Sequence, residues 1–375
     1  MALLLVFAVL LLNAHLGSCG CFKRVFAFGD SIIDTGNFRS AQALGLPLLP
    51  PSGPEEKTGK FPTGANFAVL GSIALSPDYY SKRYNFSMSH WCLDWELGSF
   101  KTVLARIAPG KAATKRLLSE SLIVFGEIGG NDYNLWFYDR QRSRDTPYKF
   151  MPDVIARIGS GVQEVINLGA KTILVPGNFP IGCVPVYLSG HKTNKSTDYD
   201  QFGCLKWYNK FSQKHNQLLR QEVGRLRSRN PGVKVIYTDY YGAAMEFVRN
   251  PKMHGIDDPL VACCGGNGPY DTGHGCDQNA KVCRDPSRFA NWDQVHMTEK
   301  AYSVIANGVL NGPPVRENGD EHLWGALCMP TELFIMGGMD ANDHFPNDDF
   351  FPDTDNLFDD MGDNANVNTN ATTTA

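Results

Sequence analysis

Five short runs of nearly continuous apolar residues recur along the chain: Arg24–Phe28, Asn66–Leu70, Leu122–Phe125, Lys171–Val175 and Val233–Tyr237. Runs of this length, apolar at successive positions rather than at alternate ones, predict strands covered on both faces, as in a parallel sheet. Longer segments lie between them, in which apolar residues return every three or four positions: Asp94–Ile107, Pro147–Leu168 and Cys204–Arg229. In the last of these Leu205, Tyr208, Phe211, His215, Leu218 and Leu219 fall near one face, and Asn230-Pro-Gly ends the pattern. Strands alternating with crossover helices predict an α/β fold, a three-layer α/β/α sandwich with a central parallel sheet. Ligands of such sheets sit beyond the carboxyl ends of the strands, so chemistry is to be sought there.

The ends of the chain follow neither pattern. Ala2–Leu12 is apolar without a charge, and the small residues Gly17, Ser18 and Gly20 follow. This reads as an export signal over residues 1–20, although no Lys or Arg precedes the apolar run. It is too short to span a bilayer, which takes roughly 20 apolar residues, and no later segment approaches that length. The net charge of −4 conceals an asymmetry: residues 312–375 hold 13 Asp/Glu and one Arg, while the rest holds 34 Lys/Arg and 26 Asp/Glu. The division expected is a signal at 1–20, one folded domain at 21–313, and an acidic, disordered tail at 314–375. No dense Lys/Arg cluster with interleaved aromatics occurs, which excludes a nucleic-acid-binding reading. Nothing in the sequence speaks to oligomeric state.

Export implies an oxidising compartment and gives the cysteines a meaning. Cys21, Cys92, Cys183, Cys204, Cys263, Cys264, Cys276 and Cys283 lie in the body, and Cys328 lies in the tail. Their connectivity is not readable, but adjacent Cys263 and Cys264 require different partners. No CxxC pair is present, which disfavours zinc, and Asp353–Asp363 lacks the glycine and glutamate spacing of a calcium loop. No metal or cofactor is expected. Asn85, Asn194 and Asn370 head Asn-X-Ser/Thr sequons and are the candidate glycosylation sites.

Three segments carry candidate chemistry. Phe28-Gly-Asp-Ser-Ile-Ile-Asp-Thr-Gly-Asn37 directly follows the first strand, so Ser31 stands at a strand's carboxyl end, where a helix would begin. Such a hydroxyl is exposed beside free backbone N–H groups, and it becomes a nucleophile if a base removes its proton. Taken alone, the segment is equally a capped turn. Gly126-Glu-Ile-Gly-Gly-Asn-Asp-Tyr133 follows the third strand, and Asn131 there can aim an amide donor at a developing oxyanion. In Asn291-Trp-Asp-Gln-Val-His-Met-Thr298 the three-residue spacing of Asp293 and His296 fits one side of a helical turn, with a helix following from Glu299 to Leu310. The carboxylate would hold Nδ1–H of the imidazole while Nε2 faces the serine. A second Asp-X-X-His, Asp271 to His274, lies in a Gly/Cys-rich stretch and reads as loop structure.

Together these segments resemble the plant secreted form of the GDSL esterase/lipase family, in the SGNH hydrolase superfamily. FGDSIIDTGN resembles the family's first block, ANFAVLGSIAL (Ala65–Leu75) the second, GEIGGNDYN the third and WDQVHMTEKAY the fifth. Family-like text also fills LGLPLLPPS, LVPGNFPIGCVP, ACCGGNGPY and VCRDPS, so the resemblance runs from about Cys21 to Pro313. It implies a flavodoxin-like SGNH hydrolase fold and a secreted serine carboxylesterase that needs no cofactor. Ser31, Asp293 and His296 would form the triad, and Ser31, Gly71 and Asn131 the oxyanion hole. The implied partners are small-molecule esters: acetyl, short acyl or aromatic esters of plant metabolites, choline and alkaloid esters among them. The implied location is the apoplast, the cell wall or a vacuole. Two departures stand out. Phe38–Leu44 runs straight across where the family carries a substantial insert on the substrate side, and the tail continues past the family's usual end near Leu310–Pro313. The missing insert favours a rival reading, a catalytically impaired secreted glycoprotein. Another is an acyltransferase using the same serine.

Overall fold

The structure is a computed structural model, and it describes residues 22–33, 60–273, 275–277 and 279–311. The expected signal, the Phe38–Leu44 connection, His274, and the tail with Cys328 and Asn370 lie outside the described residues.

Five strands, β1 (Arg24–Phe28), β2 (Gly64–Asn66), β3 (Ser121–Phe125), β4 (Thr172–Pro176) and β5 (Lys234–Thr238), form one sheet. Their order is β2-β1-β3-β4-β5 and every pairing is parallel. Side chains alternate between two cores: Phe26, Phe28, Ile123, Phe125, Ile173 and Val175 enter one, while Val25, Ala27, Leu122, Val124 and Leu174 enter the other. Burial on both sides is why the strands read as unbroken apolar runs.

Helices flank the sheet: α1 (Pro77–Tyr84), α2 (Leu93–Ile107), α3 (Lys111–Ser119), α4 (Gly130–Tyr138), α5 (Thr146–Leu168), α6 (Pro185–Gly190), α7 (Lys206–Arg229), α8 (Tyr240–Arg249) and α9 (Glu299–Asn311). Leu93, Leu97 and Phe100 of α2, Val154 and Ile158 of α5, and Phe211 and Leu219 of α7 fill the larger core. Residues of α8 and α9, among them Met245, Val248, Ala301 and Ile305, share a further cluster. Among the described residues no helix is long and apolar enough to cross a membrane. Phe28 anchors the larger core beneath the site: its ring stacks on Phe125 at 5.0 Å and meets Phe100 edge-on at 5.1 Å. Phe28→Ala is therefore expected to cost about 3–5 kcal/mol, read from the urea midpoint at unchanged slope.

The reading of the apolar pattern needs correction at two places. The second strand is Gly64–Asn66, not Asn66–Leu70. Past Asn66 the chain keeps two bonds to β1 and the residue after it, Phe67 N to Ala27 O and Val69 N to Gly29 O, while Asn66 Oδ1 accepts from Ala68 N at 3.0 Å and its Nδ2 donates to Ile33 O at 2.9 Å. Leu70, apolar in the pattern, lies 65% exposed. Nor does the apolar pattern predict α4, which starts at Gly130 inside GEIGGND. Gly, Asn, Asp and Tyr are weak helix formers, and the burial of Tyr133, Trp136 and Phe137 overrides that preference.

A second, two-stranded sheet pairs β6 (Asp258–Ala262) with β7 (Phe289–Asn291) in parallel. Disulfides Cys263–Cys283 and Cys264–Cys276 staple the excursion between them, and Cys183–Cys204 ties the segment before α6 to the start of α7. The adjacent cysteines do take different partners. Cys92 is a buried free thiol.

Candidate active site

The strand order reverses between β1 and β3, and such a reversal opens a crevice at the carboxyl ends of the strands. Ser31 follows β1, Gly71 follows β2 and Asn131 follows β3, so all three sit at that end of neighbouring strands.

At the end of β1, Gly29 has φ +143°, and a Cβ there would lie 2.6 Å from Ile33 Cγ2 and 2.9 Å from the Glu127 carbonyl. Glycine alone fits. Asp30 then donates its N–H to Glu127 O at 2.9 Å and accepts Ile32 N–H on Oδ1, also at 2.9 Å. The turn so formed, Ser31–Ile33, presents the serine hydroxyl.

The Asp293–His296 segment follows β7 as a tight loop rather than the helical turn expected from the spacing. Asp293 is itself the cause: its Oδ1 accepts Val295 N at 2.8 Å and His296 N at 2.7 Å. The loop is further held where Trp292 N donates to His296 O at 2.8 Å. Cys263 and Cys264 donate their N–H groups to Asn291 O and Trp292 O, so the disulfide-stapled strand supports the histidine loop.

Ser31 and His296, 265 positions apart in sequence, meet here: His296 Nε2 lies 2.8 Å from Ser31 Oγ. His296 Nδ1 lies 2.8 Å from Asp293 Oδ2. A carboxylate only accepts, so Nδ1 carries the proton, and Nε2 is left to accept from the serine. The hydrogen bond to Asp293 holds the imidazole above its ordinary pKa of 6.5 against the opposing effect of burial, and the charges of Asp293 and Asp30 add to it. For Asp293, burial opposes the charge, but the bonds from the His296 ring and backbone outweigh burial and keep its carboxyl below the usual range. Such a relay can draw the hydroxyl proton toward the ring nitrogen as the oxygen attacks.

Gly71 has φ +78° and opens a loop pinned from two sides by buried carboxylates. Glu96 of α2 accepts Ser72 Oγ–H at 2.5 Å on one oxygen and Gly29 N–H at 2.8 Å on the other. Asp132 accepts Ala74 N–H at 2.7 Å, Leu75 N–H at 3.1 Å and the Tyr80 hydroxyl at 2.6 Å. Burial pushes the Asp132 carboxyl up to about 6. Asn131, in the first turn of α4, donates from Nδ2 to Ser72 O and to Asp30 Oδ2, each at 3.1 Å. Asp30, Glu96, Glu127 and Asp132 were not singled out from the sequence. Glu96 had a signal, because it lies three after Leu93 and four before Phe100, on the apolar face of its helix. An unexposed carboxylate on such a face needs partners, and here they are the two loops.

The model of the GDSL-like lipase/acylhydrolase family matches residues 25–309. The chain belongs to that family. A GDSL esterase/lipase of Arabidopsis thaliana is 39% identical over 337 residues, covering 79% of this chain and 85% of its own. A second Arabidopsis thaliana GDSL esterase/lipase is 38% identical over 338 residues, with 79% and 86% covered. A sinapine esterase of Brassica napus is 35% identical over 340 residues, with 79% and 87% covered. This GDSL protein is an ester hydrolase. Each alignment runs over more positions than the matched share of the chain holds residues, so the relatives carry residues with no counterpart here.

Proposed function

We propose that this ester hydrolase works through an acyl-enzyme on Ser31. His296 Nε2 takes the hydroxyl proton as Oγ attacks the ester carbonyl, and Asp293 holds the ring in the required tautomer. The oxyanion is received by the Ser31 and Gly71 N–H groups and the Asn131 amide. Collapse releases the alcohol, which takes the proton from His296. Water, deprotonated by the same nitrogen, then frees the acid. The observation that carries this reading is the unbroken Ser31–His296–Asp293 chain at 2.8 Å and 2.8 Å. That same chain weighs against the catalytically impaired reading. The substrates proposed are small or acylated metabolite esters, a class to which the similarity with a sinapine esterase lends weight.

The protein is further proposed to be exported, with a signal at 1–20, a hydrolase domain at 21–313 and an acidic tail at 314–375. Support comes from the three disulfides among the described residues and from Asn85 and Asn194, both exposed as glycan acceptors must be.

The base must be neutral to work, and His296 is held above 6.5. Activity is therefore expected to rise with pH along a limb whose midpoint lies above 6.5, in kcat/KM for p-nitrophenyl acetate. A limb below that value would mean the Asp293 bond does not act on His296 in solution. Addition of acceptor alcohols to the same assay separates hydrolysis from acyl transfer, because transfer yields a new ester in place of free acid.

A further inference from the structure

Two carboxyl groups beside the nucleophile take no part in the relay. Asp30 is 2% exposed and Glu127 5%, and their side chains are hydrogen-bonded to each other. Glu127 also fills the space where a side chain at Gly130 would stand: a Cβ there would lie 2.4 Å from Oε1. Two buried carboxyls in hydrogen-bond contact do not both ionise, so the pair holds a proton. Burial, with the Asp30 charge beside it, pushes Glu127 well above the usual carboxylate range, while burial raises Asp30 against several opposing bonds. Glu127 is thus the member pushed further toward its protonated form, and Asp30 the one whose bonds favour the carboxylate.

As the carboxylate, Asp30 offers its neighbours only acceptors. Its Oδ1 takes Ile32 N–H, and its Oδ2 faces Asn131 Nδ2 at 3.1 Å. The second hydrogen of that amide goes to Ser72 O at 3.1 Å. If the amide were turned over, its oxygen would meet two acceptors without a proton between them. The pair of acceptors therefore dictates that nitrogen, not oxygen, points between the Ser31 and Gly71 segments. Both contacts are at the long end of the hydrogen-bond range, so an arriving oxyanion can share or displace one of them.

We propose that the Asp30–Glu127 carboxyl pair is the positioning device for the oxyanion amide of Asn131. Asp30 orients the amide, and Glu127 holds Asp30 in place by donating to it. The inference rests on the reading of Asn131 as an oxyanion donor, and its test separates the two. Steady-state kinetics on p-nitrophenyl acetate are measured for Asp30→Ala, Asn131→Ala and the double variant. Asp30→Ala is expected to lower kcat about tenfold or more with KM held within about twofold. The double variant should lose no more than Asn131→Ala alone, because one residue acts through the other. Asp30→Asn keeps an acceptor oxygen for Asn131 and should recover much of the kcat lost in Asp30→Ala. Glu127→Leu should lower kcat, and Glu127→Gln, which still donates to Asp30, should lower it less. Losses that multiply in the double variant, an effect on KM alone, or no effect of Asp30→Ala would overturn the proposal while Asn131→Ala still lowers kcat. If Asn131→Ala itself leaves kcat intact, the oxyanion reading falls first and this one with it. Should Asp30→Ala not fold, Asp30→Ser, whose hydroxyl is too short to reach the amide, takes its place in the cycle, again with a kcat loss absent from the Asn131→Ala background; multiplying losses there overturn the proposal equally.

Discussion

Ser31→Ala is expected to lower kcat for p-nitrophenyl acetate by roughly a thousandfold or more, with the melting temperature within a few degrees of the parent. The substitution removes one hydroxyl from a half-buried turn whose backbone bonds run through Asp30, Ile32 and Ile33, none of which depends on that oxygen. What is lost is the attacking atom itself. His296→Ala should match it, because without Nε2 the serine keeps its proton, and a double variant should be no worse than either single one. His274→Ala should leave the rate near that of the parent. If Ser31→Ala retained activity within a few-fold of the parent, the nucleophile would lie elsewhere.

Asn131→Ala carries the second-largest expectation, a fall in kcat of about a hundredfold, on the order of 3 kcal/mol, with a smaller change in KM. The reason is differential: the ester carbonyl of bound substrate is a weak acceptor, and the amide's bond strengthens only as charge develops on the oxygen. In the free enzyme both hydrogens of Nδ2 already have partners, at 3.1 Å each, so ground-state binding gains little from this residue. A rise in KM with kcat unchanged would make Asn131 a substrate-binding residue instead.

The sheet, its parallel sense and the strand-end location of the site were legible because strands buried on both faces leave continuous apolar runs. Ser31, His296 and Asp293 were singled out in two separate blocks, and the structure brings these three together. The shape of the histidine loop was not legible, since a three-residue spacing suits either a helical turn or a loop closed by the aspartate's own carboxylate. Here Asp293 Oδ1 decides by taking two backbone N–H groups. The second strand was misread because a run of apolar letters does not reveal that Asn66 has bonded its own chain into a turn. The buried carboxylates were hidden for a related reason. Asp30 and Glu127 stand in glycine-rich loops and Asp132 in the first turn of a short helix, where periodicity says nothing of burial, and Asp30 and Asp132 find partners on another segment of chain. Contacts made across the fold have no local signature.

The covalent intermediate is the most direct test of the account. Enzyme mixed with p-nitrophenyl acetate and quenched in acid within the first turnovers is digested and its peptides weighed. An acetyl group is expected on the peptide that contains Ser31, absent from the Ser31→Ala protein and accumulating in His296→Ala only at that variant's residual rate. Turnover at the parent rate with no acyl group on that peptide, or with the acyl group on another residue, would contradict the account.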